Sequence, residues 1–170
     1  MSAVVEFQAD ARPTDEKVTV STPEEEIQRL MKGRVKEVDV AAVFDKLKPV
    51  ASKFMIGSWN GGAFDTGHPG KAELEKARWA GKDFLALDNV HPVVVYDDDG
   101  NRTWCKEHGL AVLREVVYRG VVSTCMIYDT QPILDHFRYV AEDLVVGAMD
   151  TKIFPEGTGV FYFYLTRRQS

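Results

Sequence analysis

From Phe54 to Thr166 the chain is cut into short strand-forming runs by tight turn signals, and this division constrains the fold more than any other feature. Strands are predicted over 54–64, 83–87, 92–96, 103–106, 110–119, 121–128, 133–139, 144–149 and 160–166. Turn chemistry separates them at Asp99-Gly100-Asn101, Glu107-His108-Gly109, Asp129-Thr130-Gln131-Pro132 and Glu156-Gly157-Thr158-Gly159. Only 71–80 interrupts the pattern, with a helical turn or two before Gly81. Runs this short, without helical spacers of about 10–15 residues, specify an antiparallel all-β domain rather than βαβ units. Eight or nine such strands close into a lipocalin-like (calycin-like) barrel wide enough for one small ligand.

The first run carries Gly57-Ser58-Trp59-Asn60-Gly61 and ends in the turn Asp65-Thr66-Gly67-His68. Glycines beside a tryptophan remove the Cβ atoms that would keep a second backbone or a ligand away. Such a strand plugs a barrel floor or lines its pocket. Ahead of it, Thr22-Pro23-Glu24-Glu25 is a capping box with proline at the first helical position, and Gly33 stops that helix. A second short helix runs from an Asp39 cap to before Pro49. The expected organisation is a flexible tail over 1–20, a helical hairpin over 21–49 covering one end, and a single barrel over 50–170.

A net charge of −5 removes the basic footprint that nucleic acids or anionic membranes require. No apolar run approaches the roughly 18 residues of a membrane helix, and the N-terminus lacks a signal-peptide pattern. The expected location is the cytoplasm, with Cys105 and Cys125 as free thiols. Strand edges left open by incomplete closure would favour a homodimer.

Several segments carry a family resemblance. Gly57-Ser58-Trp59-Asn60-Gly61, Thr66-Gly67-His68-Pro69, Trp79-Ala80-Gly81-Lys82-x-Phe84 and Val90-His91-Pro92 resemble the GXWXG domain. Tyr128-Asp129-x-Gln131-Pro132-Ile133-x-Asp135-x-Phe137-Arg138, Gly147-x-Met149-Asp150 and Phe163-Tyr164-Leu165-x-Arg167 resemble the domain of unknown function that usually follows it. The resemblance implies two halves of one sheet, about 50–100 and about 101–168, and implies no activity.

Candidate chemistry centres on a few residues. Asp65 and His68 flank one turn, where a carboxylate can orient an imidazole for acid–base work or both can simply satisfy turn amides. Lys82, after Trp79, suits an anionic head group or a Schiff base. His91 starts an extended strand before Pro92 and either faces inward or marks an edge. Arg167 shares a strand face with Phe161, Phe163 and Leu165, and its planar fork fits an acidic ligand or an internal partner. Trp59, Trp79 and Phe84 line a pocket or pack the core. The histidines lack zinc-site spacing, and Asp97-Asp98-Asp99-Gly100 departs from a calcium loop. No cofactor is predicted, although an axial haem ligand needs only one histidine. Three readings follow: a binding protein for a small hydrophobic or amphipathic molecule, a cofactor-independent isomerase or cyclase of specialised metabolism using Asp65, His68 and Lys82, and a haem-binding barrel.

Overall fold

The computed structural model describes residues 20–169. The expected tail lies almost wholly outside them. The strands are β1 (Gly57–Ala63), β2 (Trp79–Ala86), β3 (Asn89–Tyr96), β4 (Arg102–Trp104), β5 (Ala111–Tyr118), β6 (Val121–Tyr128), β7 (Ile133–Ala141), β8 (Leu144–Thr151) and β9 (Phe161–Arg167). They form one antiparallel sheet in the order β2-β1-β9-β8-β7-β6-β5-β3-β4, and β2 also pairs with β3. Eight strands therefore close a ring, with β4 appended to the far end of β3. The thinnest seam is β3–β5, which pairs through Val90 and Ala111 alone. The fold is the lipocalin-like barrel that the turn pattern predicts.

Alternation along β8 separates two cores. Val145 packs inside with Phe84, Phe137, Phe161, Phe163 and Leu165. Leu144, Val146 and Ala148 face the other way, because successive side chains point to opposite sides of a sheet. They meet Ile27, Leu30, Val40 and Phe44 from α1 (Pro23–Leu30) and α2 (Glu37–Phe44). The helical pair thus lies on the outer wall of β7–β9, not over a barrel end as expected. Thr22 and Glu25 cap α1 reciprocally, with bonds of 2.8 and 3.2 Å. α2 starts at Glu37 rather than after Asp39, which instead stands in its acidic first turn, where the helix dipole favours it.

Two further helices flank β1: the first takes residues from the predicted 54–64 strand, and the second overlaps the helical turns predicted over 71–80. Residues 54 and 55 belong to the short helix α3 (Ser52–Met55), because the indole Nε1–H of Trp59 donates to the Met55 carbonyl at 2.7 Å and draws that turn under the barrel. α4 (Pro69–Lys76) ends early enough for β2 to begin at Trp79.

Candidate functional site

The Trp59 end of the barrel is closed. Trp59 is fully buried, and the Arg167 guanidinium lies 4.1 Å from its ring centroid and 4.8 Å from that of Phe54. Arg167 donates to the carbonyls of Phe54 (2.7 Å), Ile56 (3.1 Å) and Glu142 (3.2 Å). Three of its five N–H groups tie α3 and the β7–β8 turn to β9, and neither Trp59 nor Arg167 lines the cavities described below. Trp59 and Arg167, expected as ligand contacts, here pack against each other and against Phe54. Replacing Arg167 with Met should cost about 2–3 kcal/mol in urea unfolding, since three charged hydrogen bonds to backbone carbonyls are lost together with the stacking on Trp59 and Phe54. A change below about 0.5 kcal/mol would mean the closed end does not depend on it.

The other half of the interior holds a cavity of about 160 Å³. Its apolar wall includes Leu74 of α4, Trp79 of β2, Ile133 of β7, Met149 of β8, and Phe161 and Phe163 of β9. Trp79 reaches this wall because Gly61 has no side chain: a Cβ there would stand 2.5 Å from the indole. The glycine of the Gly-x-Trp-x-Gly strand thus admits the indole of Trp79 rather than exposing that of Trp59. Phe84 lies behind the wall, in T-shaped contact with Phe137, and contributes packing rather than lining.

Lys82, Tyr128 and Asp135 also line the cavity. Lys82 Nζ donates to the Pro92 carbonyl at 2.8 Å and the Tyr128 hydroxyl at 3.2 Å, and stands 3.0 Å from Asp135 Oδ2. These three oxygens equal in number the three N–H bonds of an ammonium group. The rings of Phe163, Tyr128 and Trp79 surround it at 5.1, 5.5 and 5.7 Å. Asp135 Oδ1, equally buried, has no hydrogen-bond partner among the described residues. Burial pushes the Lys82 ammonium below and the Asp135 carboxyl above their ordinary pKa ranges, each opposed by the charge of the other. Burial, with Asp135 adding to it, holds the Tyr128 phenol well above its usual range.

Asp65 and His68 do not form the expected pair. The Asp65 carboxylate faces Arg34 at 3.6 Å, while His68 caps α4 by accepting the Gly70 N–H at Nδ1, 3.0 Å away. His68 opens onto a neighbouring cleft of about 400 Å³, bounded by the β8–β9 loop. Phe154, Met149 and Phe161 are shared between that cleft and the inner cavity. His91 stacks on Trp104 at 4.7 Å, away from the cavity. Neither His68 nor His91 lines the cavity beside Lys82. His108 does line the cavity, and its Nδ1 lies 3.3 Å from the free thiol of Cys105.

Burial lowers the pKa of His68, against the Glu37 charge and the Gly159 carbonyl, and burial likewise lowers that of His136, against Asp150. An unfolded chain therefore binds more protons than the folded one below about pH 6.5, and stability falls as pH drops through the folded-state values. Asp135, raised on folding, acts with the opposite sign at lower pH. Thermal unfolding between pH 8 and 5 should show the loss in the natural chain and a smaller one in His68→Asn, which keeps a cap without a titrating proton. Identical pH profiles would show that His68 does not contribute.

The family comparisons agree with this architecture. Residues 42–100 match the GXWXG protein model, and residues 109–167 match the domain of unknown function DUF4334. A solved structure described as a protein from Thermomonospora curvata is 42% identical, with a TM-score of 0.80 over 86% of this chain and 99% of that one. No curated protein matches the chain. Among the described residues no helix is long and apolar enough to cross a membrane. The two models lie on either side of β4 in a single sheet, and the chain belongs to the family of GXWXG proteins whose barrel is completed by DUF4334.

Proposed function

We propose that the barrel binds a small hydrophobic or amphipathic molecule in the cavity between Trp79 and Phe163. One observation carries this reading: an apolar, aromatic wall surrounds a small group of buried polar side chains, Lys82, Tyr128 and Asp135. That combination is the general pattern of small-molecule sites. A six-membered ring burying about 200 Å² gains about 5 kcal/mol, so one-ring probes are expected to bind with dissociation constants of about 0.2 mM.

Toluene tests the reading. At about 25 times its dissociation constant it should raise the unfolding free energy by about 2 kcal/mol. Leu74→Trp, which fills the cavity from α4, should abolish that rise while remaining folded. No stabilisation of the natural chain would sink the reading.

A second reading is cofactor-independent isomerase or cyclase chemistry at the same place. It draws on the opposed shifts of Lys82 and Asp135, which bring an acid and a base toward each other in a dry pocket. In that reading Asp135 and Lys82 move the proton, and the site no longer includes the Asp65–His68 pair.

A further inference from the structure

The three buried polar groups of the cavity are unequally satisfied, and the inequality describes the ligand. All the donor capacity of Lys82 is matched by Pro92, Tyr128 and Asp135, so the ammonium has none left for an incoming carboxylate or phosphate. An anion would also set a second negative charge beside Asp135. A ligand cation would bring a second positive charge beside Lys82, with one buried carboxylate, Asp135, to serve both in an interior that solvates neither. What the site lacks is a hydrogen-bond donor for Asp135 Oδ1, a buried and unpartnered atom of a residue that lines the cavity. The Tyr128 hydroxyl accepts from Lys82, which leaves its own hydrogen available to an acceptor. A hydroxyl group is donor and acceptor at once.

Size adds a second restriction. The cavity measures about 160 Å³. An apolar protein cavity of about 150 Å³ takes benzene. Resting on the cavity reading above, we infer that the molecule bound here is a neutral alcohol or phenol about one six-membered ring in size, whose hydroxyl hydrogen is accepted by Asp135 Oδ1. This replaces the anionic head group that the lysine alone suggests.

Calorimetric titration of the full chain at pH 7 with phenol, toluene, benzoate and benzylamine tests the inference. A plain apolar cavity prefers toluene, because burying an unmatched hydroxyl is costly. The expected result is the reverse: phenol binds about tenfold tighter than toluene, as a hydrogen bond to a charged acceptor allows, and benzoate and benzylamine bind more weakly than either. In Asp135→Asn the amide oxygen turns toward Lys82 and its NH₂ toward the cavity, so the phenol hydroxyl loses its charged acceptor and the phenol preference should fall severalfold while toluene still binds. Toluene binding the natural chain as tightly as phenol, or benzoate binding best, overturns the hydroxyl inference and leaves the cavity reading standing. Binding of none of the four overturns both.

Discussion

Replacing Lys82 with Met is expected to destabilise the fold by about 3–5 kcal/mol, and Asp135→Leu by a similar amount, because each leaves one charge buried without its partner. The two side chains are 4% and 2% exposed, so water cannot solvate the survivor. The double variant should recover most or all of the loss and equal or exceed the natural chain, since hydrophobic replacement of a buried ion pair is often neutral or stabilising by about 1–4 kcal/mol. Urea unfolding of the four proteins gives the coupling directly. Additive losses would show that the two charges do not depend on each other. The physical point is that desolvation opposes both charges, as their opposed pKa directions indicate. Apolar side chains would serve the barrel interior at least as well. An ion pair that stability does not require, set at a cavity wall, is what a binding or reacting site demands.

Gly81→Ala should be the most damaging single methyl in the chain, at about 4 kcal/mol or more, seen as lost soluble protein or a collapsed urea midpoint. Gly81 pairs with Asn60 across β1–β2 and has φ +138°, a conformation that L side chains rarely adopt. A Cβ would overlap the Trp59 carbonyl oxygen and stand 2.8 Å from the Gly61 nitrogen, and both belong to backbone that cannot rotate away. Gly100→Ala is the control. It also has positive φ, +79°, but nothing lies within 4 Å of its Cβ position, so it should cost only about 1–2 kcal/mol. Equal losses in the two variants would mean that conformation alone, and not the close approach of β1 to β2, explains the glycine.

Much of this was legible in the chain, for identifiable reasons. Strand β6 matches its predicted span of 121–128, because Gly120 and Asp129-Thr130-Gln131-Pro132 punctuate both ends. β2 was predicted to begin four residues late, since Trp79-Ala80-Gly81-Lys82 has neither alternation nor β-branched residues; two of the three register shifts of β2 fall there. The outer position of the helical pair had a signal that went unread. Leu144-Val145-Val146-Gly147-Ala148-Met149 is apolar at every position, which marks a strand covered on both faces.

The site was half visible. Lys82 stood out as a lysine in an aromatic motif, and Trp79 beside it. Asp135 did not, although Ile133, Asp135 and Phe137 alternate, which puts the carboxylate on the same face as a core phenylalanine. Asp65 and His68 misled because nearness in sequence is not contact: a tight turn sends one to Arg34 and the other to cap α4. Which lysine meets which carboxylate across the barrel depends on β2 and β7, which never pair, and no local pattern reports it.

The central claim is that the ligand site lies at the Trp79 side of the barrel and not at the Trp59 end. The chain has three tryptophans, so three indole N–H signals report on it in a ¹⁵N-labelled protein. Trp79 Nε1 donates to the Gly81 carbonyl at 2.9 Å on the cavity wall, while Trp59 Nε1 is held on Met55 in the closed end. Titration with phenol should move the Trp79 indole signal and leave that of Trp59 in place. Movement of the Trp59 signal with Trp79 unchanged, or no movement of either at saturating phenol, would contradict the account.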